Sequence, residues 1–225
     1  MKTVCILSGG LDSTTLLYLL VAQEKKEDIH ALSFDYGQKH SKEILYAKYH
    51  CKKLGVAHGV IDMRKIFDIF PQKSSLISKK IEVPEGHYEA ENMKSTVVPN
   101  RNMIMLSIAA GYVASLGTDD DVLRIAYGAH AGDHAIYPDC RVEFIDAMKK
   151  VLELCDWRQI FLFAPFQRYA KKDILLRGLK MGVDYSKTWS CYKGGKKPCG
   201  RCGTCVERLE AFFKAGKEDP LEYQV

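Results

Sequence analysis

Ser8-Gly9-Gly10-Leu11-Asp12-Ser13 stands between a short apolar run at residues 3–7 and a helix-like stretch at residues 13–23. A strand, a glycine turn and a helix in immediate succession is the arrangement with which open parallel sheets bind phosphates. Two glycines let backbone amides approach an anion with no Cβ in the way. Ser13 and the free N–H groups of the helix start add donors and the positive end of the helix dipole. For Gly-Gly alone, a tight turn with Asp12 or Ser13 capping the helix is the simpler reading, but the whole string is more specific. It is neither GxxxxGK[ST] nor GxGxxG.

The same alternation continues outward. Further strands are expected at residues 29–34, 59–62, 122–127 and 160–164, and helices at 42–54, 101–116, 142–154 and 171–181, with Gly55 as a stop signal. Alternating strands and helices argue an α/β fold with a mostly parallel sheet covered on both faces. Two segments break the rhythm. Residues 64–99 hold Pro71, Ser74-Ser75, Pro84 and Gly86 without a sustained period, and so long a connection reads as a lid-like insertion rather than a disordered loop. The other is the stretch from Trp189 onward, where cysteines collect.

With 225 residues, 47% hydrophobic and 27% charged, the chain suits one packed domain or two small ones, which excludes disorder and collagen. The formal charge of +5 is too small to demand nucleic acid or a membrane. No export signal is recognised, and the longest charge-free stretch, residues 102–118, is shorter than a bilayer needs and reads as a buried helix. A cytoplasmic protein with reduced thiols is expected.

Eight cysteines therefore need an explanation other than disulfide stapling. Cys191, Cys199, Cys202 and Cys205 form C-x7-C-x2-C-x2-C, with Gly200 and Gly203 placed for tight turns. Four thiolates at this spacing favour a structural Zn²⁺ over a redox pair, an iron–sulfur cluster or unrelated thiols, and a closed shell of four sulfurs has no position for catalytic water. Cys5, Cys51, Cys140 and Cys155 lie in or beside apolar elements and read as buried small hydrophobes.

Ser8 to Ser13 resembles the SGGxDS signature of the PP-loop ATP pyrophosphatases. The resemblance implies an adenine nucleotide alpha hydrolase-like domain, over residues 1–188, with a small zinc-binding segment at residues 189–225. It implies a loop that cradles the β- and γ-phosphates of ATP while a substrate oxygen attacks the α-phosphorus, with Mg²⁺ assisting. Leu7, Ser8, Gly9, Gly10, Leu11, Asp12, Ser13, Thr14, Thr15, Leu16 and Leu17 would form the ATP-binding segment, and Ser8, Asp12, Ser13 and Lys171 the catalytic set. Together with residues 35–40 (DYGQKH), 98–102 (VPNRN), 137–141 (YPDCR) and 189–192 (WSCY), the signature looks like that of the QueC family over nearly the whole chain.

That likeness implies two ATP-dependent oxygen activations. The carboxylate of 7-carboxy-7-deazaguanine is adenylated and displaced by ammonia to an amide, and the amide is activated in turn and eliminated to 7-cyano-7-deazaguanine, for queuosine biosynthesis. No glutaminase-like segment is recognised, so free ammonia is the expected nitrogen source. Asn100, Arg101, Asp133, Asp139 and Arg141 are the candidate substrate contacts, with His130, His134 and Tyr137 beside them after the fourth strand. A helix cap is the alternative role for Asn100, and a capped turn at Pro138 would explain Asp139. Asn100 also stands where many family members carry glycine. A homodimer is implied as well, and no general base is identified.

Rivals remain at this stage. A tRNA-modifying PP-loop enzyme would suit residues 168–217, which hold 13 Lys and Arg against four acids, although a solvated basic surface explains them too. A deazaguanine-conjugating relative, an NAD synthetase-type ligase and an ATP-binding regulator complete the set.

Overall fold

A computed structural model describes residues 1–71 and 74–224; the side chains of Asp133 and His134, like residues 72, 73 and 225, lie outside the described residues. Five parallel strands, β1 (Lys2–Ile6), β2 (Ile29–Asp35), β3 (Ala57–Asp62), β4 (Leu123–Ala126) and β5 (Ile160–Phe163), form one sheet in the order β3-β2-β1-β4-β5. The chain leaves β1 toward β2 on one side and returns later to place β4 on the other. The crevice at the carboxyl ends of β1 and β4 is thus the topological switch point, where such sheets bind ligands.

Period-two alternation along β1 assigns its residues to two cores. Val4 and Ile6 point into one cluster with Leu123, Ile125, Ile160 and Leu162, which helices α4 (Arg101–Leu116) and α5 (Val142–Glu153) cover. Cys5 and Leu7 point into the other, with Leu16, Leu17, Leu20, Ile174 and Leu175. Helices α1 (Leu11–Gln23), α2 (Lys42–Leu54), α6 (Lys171–Lys180) and α7 (Gly203–Lys214) close that face. The charge-free stretch is α4, burying Met105, Leu106, Ala109, Ala110 and Val113. No helix is long and apolar enough to cross a membrane among the described residues.

Two helices escaped the sequence reading. The short α3 (Arg64–Asp68) opens the insertion and buries Phe67. Helix α7 was hidden because its first residues read as cysteine-motif spacing; Ala211 and Phe212 carry it into the second core. The insertion is packed: Leu76, Val83 and Met93 are buried, and Gly86 N–H donates to the Arg201 carbonyl at 2.9 Å. Cys155 corrects an expectation. It is exposed, since α5 ends at Glu153 and the chain turns at the surface; Cys5, Cys51 and Cys140 are buried as expected.

Helix α7 also anchors the C-terminus. Arg208, only 1% exposed, donates from Nε and Nη2 to both Asp219 oxygens at 2.6 and 3.0 Å, from Nη1 to Thr188 Oγ1 and from Nη2 to the Tyr185 carbonyl. Arg208→Ala strands a buried carboxylate and a carbonyl, so urea unfolding is expected to show a loss of about 3–5 kcal/mol.

Candidate active site

The turn after β1 has the geometry of an anion cradle. Gly9 adopts φ +91°, a left-handed conformation that glycine tolerates, and its carbonyl accepts from Trp189 N–H at 3.0 Å. Gly10 is the N-cap of α1 and no side chain caps that helix, which leaves the first N–H groups facing the crevice. Ser8 and Ser13 join through their hydroxyls at 2.9 Å, and Gly10 N–H donates to Ser8 Oγ at 3.1 Å. Neither Asp12 nor Ser13 serves as the helix cap that the simpler reading offered.

A cavity of about 210 Å³ opens over this turn. Leu7, Ser8, Gly10, Leu11, Asp12 and Ser13 form its floor, Lys171 and His130 one side, Arg101, Asn102 and Tyr127 another. Tyr36, His40 and Glu43 come from the stretch after β2, and Trp189, Ser190, Tyr192 and Thr204 from the C-terminal segment. Thr14, Thr15, Leu16 and Leu17 lie outside the cavity wall: they are fully buried in α1, and Thr15 Oγ1 bonds Tyr185 Oη at 2.7 Å.

The charged groups at the turn form one network. Lys171 Nζ, at the start of α6, lies 3.4 Å from Asp12 Oδ2 and pairs with Glu207 from α7, so it lines the cavity as a paired, largely buried group. His130 Nδ1 accepts from Gly132 N–H at 3.0 Å, which in the neutral ring leaves the hydrogen on Nε2, 3.6 Å from Asp12 Oδ2 and 3.8 Å from Glu207 Oε1. Asp12 Oδ1 is buried with no hydrogen-bond partner.

On the opposite side, Gln38 Nε2 donates to Glu43 Oε1 at 3.4 Å, and His40 Nε2 lies 3.6 Å from the same oxygen. Burial pushes the Glu43 carboxyl up to about 8 against the bond from Gln38 and the charge of Arg101. Burial and Arg101 push His40 down to about 3, so its ring is neutral.

The other candidate contacts are more dispersed. Arg101 donates to Tyr36 Oη at 3.2 Å at the cavity wall. Asn100 is exposed at the N-cap of α4, makes no side-chain cap bond and has φ +55°. Asparagine tolerates this left-handed conformation, which glycine adopts freely. Asp139 accepts from the Asn102 N–H at 3.4 Å and thereby holds the first turn of α4. Arg141 is exposed at the N-cap of α5, outside the cavity wall. His40, Glu43, Tyr127, Trp189, Tyr192 and Glu207 line or support the site without a role that the sequence alone predicts. The 35–40 and 189–192 motifs are the available signal for His40, Trp189 and Tyr192; Glu207 has none, because the sequence announces no helix there.

The four C-terminal cysteines are buried, and their sulfurs all lie within 4.8 Å of one another. A tetrahedron of ~2.3 Å metal–sulfur bonds has edges of ~3.8 Å, so the cluster needs little movement to close on an ion. Backbone N–H groups of Cys199 and Cys202 donate to the sulfurs of Cys191 and Cys199 at 3.3 Å each, as in a metal-binding knuckle. Hydrogen bonds from Cys191 and Cys205 hold the Cys202 thiol well below its ordinary value. The arrangement suits a metal ion and leaves no buried thiol of the four outside it.

A parallel sheet in this order, with an uncapped glycine turn at its switch point, defines an ATP pyrophosphatase-like α/β fold. Two solved structures share it: a U34-tRNA thiolase from Methanococcus maripaludis (16% identity, TM-score 0.53, covering 98% of this chain and 67% of that one) and an NMN synthetase from Francisella tularensis (15% identity, TM-score 0.53, 96% and 78%). At these identities the likeness concerns the fold alone. Residues 2–216 match the family model described as queuosine biosynthesis protein QueC, and the chain belongs to that family. Among its relatives is the 7-cyano-7-deazaguanine synthase of Caldicellulosiruptor saccharolyticus, 53% identical over 225 residues, covering 100% of this chain and 96% of that protein.

Proposed function

We propose that the protein is a C–N bond-forming ligase that uses ATP to convert 7-carboxy-7-deazaguanine and ammonia to 7-cyano-7-deazaguanine. The full-length likeness to a synthase of that name carries the reading, and the crevice supplies chemistry that fits it. The uncapped start of α1, with Ser8, Gly10 and Ser13, binds the β- and γ-phosphates and stabilises the pyrophosphate as it leaves. Lys171, held between Asp12 and Glu207, neutralises charge at the phosphates. Arg101 and the aromatic rings of Tyr36, Tyr127 and Tyr192 form a wall suited to a flat, anionic heterocycle. Asp133, Asp139 and Arg141 are further candidate substrate contacts in the same reading.

Two ions complete the proposal. Mg²⁺ accompanies ATP and withdraws charge from its phosphates; Asp12, with a buried oxygen otherwise without a partner, would hold it. Zn²⁺ suits the four-sulfur cluster as a structural ion. The protein would work in the cytoplasm as a homodimer on small molecules, without nucleic acid. Incubation of the purified protein with ATP, ammonium and the carboxylic acid is expected to yield the nitrile and substrate-dependent pyrophosphate by mass spectrometry and a coupled assay. Absence of both, or turnover with glutamine alone, would overturn the corresponding part of the reading.

A further inference from the structure

Three protons must leave nitrogen on the way from ammonia to a nitrile, so the reaction needs a proton acceptor in the cavity. The carboxylates on its wall, among the described residues, are Asp12 and Glu43. Asp12 lies against Lys171 and the phosphate turn. Glu43 stands across the cavity, in the first turn of α2. Its backbone is tied to that turn: a Cβ on Gly9 would lie 2.1 Å from the Glu43 carbonyl oxygen. One residue therefore supports the ATP loop from behind and presents a carboxylate to the same cavity. Its neighbours are placed to steady it, with Gln38 donating to Oε1, the neutral His40 ring beside it, and Arg101 and Tyr36 across the wall.

We propose that Glu43, positioned by Gln38 and His40, accepts the protons released by nitrogen in both halves of the reaction. The inference rests on the proposed function. In the first half, the ammonia nitrogen forms a bond to the adenylated carbonyl carbon, the C–O bond to AMP breaks with its electron pair leaving on the phosphate, and one N–H proton passes to Glu43. In the second, the amide oxygen has displaced pyrophosphate from another ATP. The C–O bond then breaks, the nitrogen keeps the electrons of its two N–H bonds as the triple bond forms, and Glu43 receives the two protons in turn, returning each to solvent. No oxidant or reductant is involved. The groups facing the pair are Arg101 from α4, Tyr36 after β2, and Tyr192 and Cys202 from the C-terminal segment. A carboxyl titrating near 8 is a far stronger base than an ordinary one and matches a working pH near neutrality.

Single-turnover measurements separate this role from mere architecture. With the carboxylic acid and ATP but no ammonia, Glu43→Gln is expected to release pyrophosphate within about threefold of the wild-type rate, while amide formation and the conversion of supplied amide to nitrile each fall about 100-fold or more. His40→Asn is expected to fall less. In the wild-type protein, at a fixed concentration of unprotonated ammonia, the amination rate should rise with pH through about 8 and then level, because only the ionised carboxylate accepts a proton. Wild-type amination rates in Glu43→Gln, a raised KM for the acid with those rates intact, or a profile flat between about pH 6 and 9 would each overturn the assignment. Should the wild-type protein form no nitrile at all, the proposed function is what fails.

Discussion

Gly9→Ala is expected to abolish ATP-dependent chemistry and to destabilise the protein by about 3–5 kcal/mol, combining strain at a left-handed backbone with overpacking. At φ +91° an alanine is strained wherever it sits, and here its Cβ would also lie 2.1 Å from the Glu43 carbonyl oxygen and 2.9 Å from the Ala47 nitrogen. Both are backbone atoms of α2, which packs against β2 and β3, so neither retreats cheaply. The turn itself must move. Its displacement draws the free N–H groups of α1 away from the phosphates and breaks the 3.0 Å bond to Trp189. Loss of even one such donor costs about 100-fold or more in rate. Gly111→Ala is the matched control: it lies on α4 with nothing within 4 Å, and should stabilise by about 0.5–1 kcal/mol through helix propensity with activity intact. Thermal unfolding and pyrophosphate release distinguish the two. Equal behaviour would mean that the turn adapts to a side chain.

The same local chemistry that makes the turn sensitive made it readable. A strand, two glycines and a helix in succession have few other physical solutions, and the alternation of Val4 and Ile6 against Cys5 and Leu7 settles which core each faces. Four sulfurs gathered by sequence spacing were legible for a similar reason, since the ligands are near neighbours in the chain. What could not be read is what arrives from far away. Glu207 reaches Lys171 across 36 residues of chain, and its helix looked like part of a cysteine motif. Glu43 reads only as part of the helix expected at residues 42–54, yet it is buried because the glycine turn and the cavity lie on that side. Asp139 also accepts from the Asn102 N–H at the start of α4, a contact visible only once the 138–140 turn and that helix are brought together in space. Burial of Thr14 to Leu17 follows from packing on α6, which no local pattern announces.

The cysteine cluster should matter to catalysis although it touches no reacting atom. Trp189, Ser190, Tyr192 and Thr204 line the cavity, and each lies within a few residues of a cluster cysteine. Trp189 N–H holds Gly9, Trp189 Nε1 donates to the Cys191 carbonyl at 2.9 Å, and Thr204 Oγ1 donates to the Ser190 carbonyl at 2.7 Å. The insertion joins the same wall, with Thr96, Tyr137 and Tyr192 linked through their hydroxyls at 2.6 and 3.1 Å. Helix α7 begins at Gly203 between two cluster cysteines and delivers Glu207 to Lys171. Cys202→Ser replaces a fully buried sulfur with a poor ligand for a soft-sulfur site, so any metal ion the cluster holds should be lost together with the order of one whole wall. Because metal binding of this kind is folding free energy, of about 10–16 kcal/mol in small zinc domains, a destabilisation of at least about 3 kcal/mol is expected. Pyrophosphate release should fall more than about 100-fold, since both the Gly9 clamp and the Lys171 network depend on that segment. Metal content by elemental analysis, thermal unfolding and pyrophosphate release test this together, and chelation of the wild-type protein should reproduce the result. A variant that loses its metal yet keeps its melting temperature and its rate would show that the wall stands without the cluster.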